Sequence, residues 1–266
     1  MVSLIQILKE IQINPKAIIM AGGASVGKST VLKSIDSQLS GFNTLNADKY
    51  VEDPNSPLYG NLGGASSKIT KEDLPQAIDT KSNFIYDTTA SNLKTLKPLV
   101  DELKAEGYDV MMLMVYAHPI VSFLRNFQRE RKVPLIGIIS TWVKVYNLIE
   151  DYKKMFGDNF ILVSTTSTSQ EEKSQIESFQ TAQNRGKLKE YFDDLMSTGK
   201  YSSSFRKDDD GLSPEELEKR KKQREQTKIA VGKSIEDLSQ SFDRIQSSII
   251  PTSKDELPSL ISKFTS

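Results

Sequence analysis

The sequence contains no cysteine and a single histidine, His118. The first absence removes disulfides, thiolate zinc sites, iron–sulfur clusters and cysteine nucleophiles. The second removes any multi-histidine metal site and leaves a serine hydrolase triad only one ring to pass through. Apolar residues are also scarce: they make up 37% of 266 residues, and counting 14 Gly in place of 9 Tyr gives roughly 39%, below the usual ~45–50%. Part of the chain is therefore expected to be too polar to bury itself. An excess of either charge is missing as well, because 35 basic and 35 acidic side chains cancel, so no global field draws the chain to nucleic acid or an anionic membrane. No apolar run approaches the ~18 residues of a membrane span. The start MVSLIQILKE lacks the charged segment and cleavage site of a signal peptide. A cytoplasmic protein without membrane contact is expected.

What is present has a clear order. Residues 1–166 alternate short apolar runs with amphipathic stretches of helical length, the pattern of a parallel sheet wrapped by helices. Strands are expected at Ala17–Ala21, Phe42–Asn46, Phe84–Asp87, Val110–Ala117 and Phe160–Val163. Helices are expected at Lys28–Leu39, Leu93–Glu106, Ile120 to about Arg131, and Ile138–Phe156, where Ile138, Trp142, Val145, Ile149 and Tyr152 form a core-facing stripe. Leu4, Ile5, Leu8 and Ile11 suggest a further short helix docked on this domain. The expected fold class is α/β, with a five-stranded, mostly parallel sheet flanked by helices.

From Ser164 the run STTSTSQEEKSQ reads as a linker, so 167–266 is expected to be a polar linker and a helical or partly disordered tail. Ser213-Pro214-Glu215-Glu216 is a helix start, with Ser as cap and Glu216 three residues on. The stripe that follows, Ile229, Ile235, Leu238, Phe242, Ile245 and Ile249, is weak. Residues 200–266 are thus candidates for a protein partner, for self-association or for partial disorder. The basic run Lys219–Arg224 could follow a phosphate backbone or be a solvated helix face.

The most informative segment is Gly22-Gly23-Ala24-Ser25-Val26-Gly27-Lys28-Ser29-Thr30, a G-x-x-x-x-G-K-[ST] loop between an expected strand and an expected helix. Its glycines allow a tight turn that points N–H groups at phosphates, and the helix start adds a favourable dipole. Lys28 then reaches the β- and γ-phosphates of ATP, and Ser29 offers its hydroxyl to Mg²⁺. Because kinases, GTPases and motor ATPases share this loop, the reaction must be read elsewhere. No N-K-x-D segment reads guanine. Asp87, at the end of the third strand, takes the place of the acid that orients Mg²⁺, and it is followed by Thr88 rather than a water-activating glutamate.

Asp48 follows the second strand in Leu45-Asn46-Ala47-Asp48-Lys49-Tyr50, at the sheet edge where ligands bind. A carboxylate there can accept the proton of an attacking hydroxyl; the alternative is a turn-forming Asp. After the fourth strand and His118-Pro119, Arg125 and Arg129 lie four apart, with Arg131 and Lys132 before Pro134. This reads as a lid lowering arginines onto phosphates or as a solvated basic face. The glycine-rich stretch Tyr59–Lys68 reads either as a mobile cover over the acceptor or as a plain surface loop.

AGGASVGKST, LNADKY, FIYDTTASN, GYDVMMLMVYAHP and RNFQRERKVP, in this order over about residues 15–165, resemble the zeta-toxin family and the related polynucleotide-kinase-like P-loop kinases. The resemblance implies ATP- and Mg²⁺-dependent transfer of the γ-phosphoryl group to a hydroxyl of a nucleotide, a nucleotide sugar or a polynucleotide end. It implies Asp48 as the base and Arg125 with Arg129 or Arg131 as phosphate contacts. The chain departs from the zeta branch in having Asp87-Thr88-Thr89 where an acid is often followed by Gly-Thr, and in a short segment between Asp48 and the third strand. A second class stays open, a nucleotide-binding structural or assembly protein that keeps the fold as a scaffold and grips a partner with its tail.

Overall fold

In the computed structural model, which describes residues 14–129, 132–166, 169–197 and 213–266, the run KAIIMA forms strand β1 (Lys16–Ala21), buried at all six positions. Such burial on both faces is what a near-continuous apolar run favours, and it is met only inside a parallel sheet covered on both sides. β1 indeed lies at the centre. β2 (Asn43–Leu45), β3 (Phe84–Asp87), β4 (Asp109–Tyr116) and β5 (Phe160–Ser164) complete a five-stranded sheet of order β2-β3-β1-β4-β5. All four pairings are parallel, with Ile18 beside both Ile85 and Met111. β3 therefore stands between β1 and β2, and the connections that leave the neighbouring strands β1 and β4 run toward opposite edges of the sheet. That divergence opens the crevice in which α/β sheets take ligands.

Among the described residues, helices α1 (Lys28–Ser34), α2 (Asp48–Val51), α3 (Leu62–Lys68), α4 (Leu74–Asp79) and α5 (Leu93–Ala105) precede β4. α6 (Pro119–Phe127), α7 (Leu135–Tyr146) and α8 (Ile149–Phe156) lie between β4 and β5. The helix expected over Ile138–Phe156 is thus two helices. The break falls at Asn147, whose side chain accepts a hydrogen bond from Arg244 Nη2 at 2.7 Å. Trp142 is 1% exposed and donates from Nε1 to Ala117 O, so the stripe reading holds. The helix expected to run to Arg131 ends at Phe127, because buried Asn126 turns back and pairs with both the N–H and the C=O of Val133. The stretch Tyr59–Lys68 is no loop along most of its length: Asn61 accepts from Gly64 N and caps α3. The short helix suggested around Leu4–Ile11, and Arg131, lie outside the described residues.

The largest correction concerns the chain after Ser164. α9 (Gln170–Asn184), α10 (Leu188–Ser197), α11 (Pro214–Ser248) and α12 (Leu257–Thr265) follow β5. Phe179, Leu188, Phe192, Ile235, Leu238, Phe242, Ile245, Leu257 and Ile261 belong to the same buried cluster as the sheet. The boundary expected at 166 is thus no boundary of packing. Phe242 stacks at 24° on Trp142, and Tyr116 donates to Gln246 Oε1 at 2.7 Å. The chain after α11 then joins the sheet edge, with Thr252 N donating to Leu162 O. Buried Lys16 donates to Phe264 O at 2.6 Å and ties α12 to the base of β1. Of the expected stripe only Ile229 fails, at 66% exposure; Ile249 is half-buried. Ser213 and Glu216 form the expected capping box. Among the described residues, no helix is long and apolar enough to cross a membrane.

Sparse apolar residues suffice here because each lands on an existing surface rather than building a second core. Phe242→Ala is therefore expected to cost about 3–5 kcal/mol of unfolding free energy, the usual range for emptying a buried phenylalanine site. Urea denaturation followed by the fluorescence of the single Trp142 measures it. An unchanged midpoint would mean that α11 adds nothing to the core.

Candidate active site

Because all strands are parallel, their carboxyl ends share one edge, and the phosphate loop, Asp48 and Asp87 collect there. The phosphate loop joins β1 to α1. Gly22 has φ +150, and a Cβ on it would stand 2.7 Å from Val115 O, so only glycine fits. Gly27, at φ +92, caps α1 from the left-handed region, and Ser25 holds φ +58 as a non-glycine residue. Lys28 Nζ donates to Gly22 O at 3.1 Å and Gly23 O at 3.4 Å, and stands 3.7 Å from Asp87 Oδ1. The ammonium is curled into the loop that it serves. Ser29 and Thr30 are exposed at the start of α1.

Asp87 ends β3, and its side chain is 11% exposed. Burial raises its carboxyl above the ordinary range; the nearby Lys28 ammonium opposes this, and the negative charge of Asp48 adds to it. The carboxylate also accepts from Asn46 Nδ2 at 2.9 Å through Oδ2, while Asn46 Oδ1 accepts from Asp48 N at 2.8 Å. Asn46 thus ties the Mg²⁺-orienting candidate to the base candidate. Sequence reasoning missed it, although an Asn two residues before an Asp is a turn signal that could have drawn notice. Asp48 does not adjoin the loop through neighbouring strands, since β3 intervenes; it opens α2 and half-faces solvent.

The donor set suits Mg²⁺. That ion keeps several waters and takes one or two carboxylates together with substrate phosphates. Ser29 and Asp87 could hold it, and its charge would neutralise the phosphates. Among the described residues no three His, Cys, Asp or Glu gather into a cage of their own.

The arginines separate. Arg125 donates from Nε to Glu172 at 3.1 Å, from Nη1 to Thr165 Oγ1 at 3.0 Å and from Nη2 to Thr165 O at 2.7 Å. Arg129 lies past the end of α6 and is half-buried. Thr165 and Glu172, in the stretch read as a linker, are two further residues that the sequence did not reveal. They carry no motif, and only the fold brings them to Arg125.

His118 is structural. Its Nδ1 accepts from Ile120 N at 3.4 Å and caps α6, while the ring sits edge-on against Phe179 and Phe242. Burial lowers its pKa to about 3, so it is neutral and poorly placed to donate protons. The unfolded chain protonates near the ordinary 6.5, so this ring's contribution is intact above pH 6.5 and is lost as pH falls toward 3. His118→Asn, which keeps a capping oxygen, is expected to recover roughly 2–3 kcal/mol of the stability that the parent loses between pH 7 and 4.5. Urea unfolding at the two pH values checks this; identical losses in both proteins would refute it.

The parallel sheet, its strand order and the glycine loop define a P-loop domain of the kinase type. The zeta toxin family model matches residues 4–135, the stretch that carries the loop, Asn46, Asp48, Asp87 and both Arg125 and Arg129. Over that stretch the chain is zeta-toxin-like, as its motifs suggested. No curated protein matches it in sequence. Among solved structures, one from the PezAT chromosomal toxin–antitoxin system of Streptococcus pneumoniae is 16% identical, with 68% of this chain and 93% of that one covered at a TM-score of 0.47. The AvrRxo1-ORF1:-ORF2 complex gives 14% identity over 60% and 57% of the two chains, at 0.48. The Pnkp1/Rnl/Hen1 RNA repair complex gives 21% over 52% and 46%, at 0.42. Likeness at this level does not extend to substrate or partner.

Proposed function

We propose that the chain is an ATP- and Mg²⁺-dependent kinase that moves the γ-phosphoryl group to a hydroxyl of a nucleotide or polynucleotide end. The observation that carries the reading is the continuous line Lys28–Asp87–Asn46–Asp48 along the sheet edge. At one end stands the cation that would bind phosphates, and at the other the half-exposed carboxylate of Asp48. The loop amides and Lys28 hold the β- and γ-phosphates, with Ser29 and Asp87 as the residues that would hold Mg²⁺. Asp48 takes the acceptor proton as the acceptor oxygen bonds to the γ-phosphorus; the bond to the β–γ bridging oxygen breaks, and ADP leaves with that electron pair. Arg129 and Arg131 are the cations proposed to cover the phosphates during transfer.

Lys28→Ala is expected to abolish both ATP binding and transfer. Asp48→Asn should keep ATP binding and lose about 10²–10⁴-fold in transfer, the range for a positioned base. Labelled ATP, offered with nucleosides, nucleotide sugars and 5′-hydroxyl DNA or RNA, measures both. Full transfer by Asp48→Asn on a verified acceptor would remove the base assignment.

A polynucleotide end is favoured among the acceptors by the first half of α11. Residues 221–229 are exposed throughout, and Lys219–Lys228 carries six cations against the single carboxylate Glu225. So dense a run of cations makes a local positive field that a phosphate backbone would complement. Reversing Lys219, Lys221 and Lys222 to Glu should weaken binding of a 5′-hydroxyl oligonucleotide about tenfold or more near 0.1 M salt and flatten its salt dependence. Transfer to a mononucleotide should not change. Equal oligonucleotide binding by both proteins would make this half of α11 a solvated surface. The scaffold reading loses its main motive, because most of the stripe that was to grip a partner is buried within the chain.

A further inference from the structure

The contacts of Arg125 point away from the task its place in the sequence suggests. Thr165, the first residue after β5, is 8% exposed and packs its hydroxyl 3.3 Å from where a Cβ on Gly27 would sit. Its N–H is fixed on Tyr116 O at 2.7 Å, so the residue is anchored to the end of β4. Its Oγ1 stands between the guanidinium of Arg125 and two carbonyls, Val26 O and, at 3.3 Å, Tyr116 O.

A guanidinium can only donate, and a hydroxyl has one proton. Oγ1 must therefore accept from Arg125 and send its proton to a carbonyl, and Val26 O is the nearer one. This orientation matters for the loop. In a trans peptide the C=O and the next N–H point opposite ways, so holding Val26 C=O against Thr165 turns Gly27 N–H to the other side, toward the phosphate cradle. Arg125 is itself held by Glu172 at 3.1 Å. Glu172 lies in the first turn of α9, which Ser169 caps and Phe179 fixes in the core. A line of contacts thus runs from the α9 core through Glu172, Arg125 and Thr165 to the peptide just before Lys28.

We propose that Arg125 is a positioning residue: it acts through Thr165 on the Val26–Gly27 peptide, setting the loop for nucleotide, and does not itself contact the phosphates. The proposal rests on the reading that this loop binds ATP. It assigns different tasks to two arginines four residues apart, Arg125 behind the loop and Arg129 over the phosphates. It also makes α9 a part of the nucleotide site.

The test is a double-mutant cycle on the full-length protein with Thr165→Val, Arg125→Ala and the pair, reading ATP affinity by titration and kcat at saturating ATP. Thermal unfolding confirms that each variant is folded. Each single change is expected to weaken ATP binding about three- to tenfold, the worth of one hydrogen bond. The pair should be no weaker than the worse single variant, and kcat should stay within about threefold of the parent. Arg125→Lys, which can still donate to Oγ1, should recover part of the affinity. Additive losses, or a large fall in kcat with Arg125→Ala whether or not Thr165 is present, would overturn the proposal in favour of direct phosphate contact. If Arg125→Ala does not fold, Thr165→Val decides alone, and unchanged ATP affinity in that variant overturns the proposal. Lys28→Ala separates the two levels: if it leaves ATP affinity unchanged, the nucleotide reading fails. If affinity depends on Lys28 but not on Thr165, only the positioning role fails.

Discussion

The parallel pairing of β1 on both sides, with β3 and with β4, is the constraint on which the rest of the molecule depends. It carries the phosphate loop to the middle of the sheet edge and leaves the diverging connections of β1 and β4 beside it. Parallel strands cannot be joined by hairpins, so each connection crosses a face as helix and returns the chain to the same end. The carboxyl ends of β2, β3, β4 and β5 therefore deliver Asn46, Asp87, His118 and Thr165 to a single edge. A register slip or an antiparallel strand would send one of them to the far side.

Charge at that edge is arranged locally and is nearly self-contained. The zero net charge of the chain says nothing about it. Lys28 is engaged by two loop carbonyls and lies near Asp87; the carboxyl of Asp87 in turn is raised by burial and held by Asn46. A buried carboxylate needs a cation or donors. Here it has both, in Lys28 and Asn46. The same economy explains why a chain without cysteine and with one buried, neutral histidine can still carry a kinase-type phosphate loop: backbone amides, Lys28, Asn46 and Asp87 make up its polar contacts.

The C-terminal helices show how composition can mislead about packing. Residues after Ser164 are rich in Ser, Lys, Glu and Gln, and a window of that sequence has too few apolar residues to fold alone. Yet Phe179, Phe192 and Phe242 are all but fully buried, because each meets a ring already in place, His118, Phe123 or Trp142. A sparse stripe is sufficient for docking on a core where it would be insufficient for making one. A composition that reads as a linker hides that docking, and with it the meeting of Thr165 and Glu172 with Arg125.

The sequence by itself determined the local matters: five apolar runs that become strands, the glycine pattern whose positive φ values make a phosphate loop, the Ser213 capping box, and Asp87 and Asp48 at strand ends. Each depends on residues within a few positions of one another, so short-range sterics and periodicity suffice. Tertiary structure alone decided that β3 separates β2 from β1, that Asn46 joins the two aspartates, that α9 to α12 share the core, and that Arg125 faces Thr165 and Glu172. Arg125 and Glu172 are 47 residues apart in sequence and meet at 3.1 Å. No spacing rule connects them, because their meeting follows from how the two helices that leave the carboxyl ends of β4 and β5 pack at one edge, which only the folded sheet fixes.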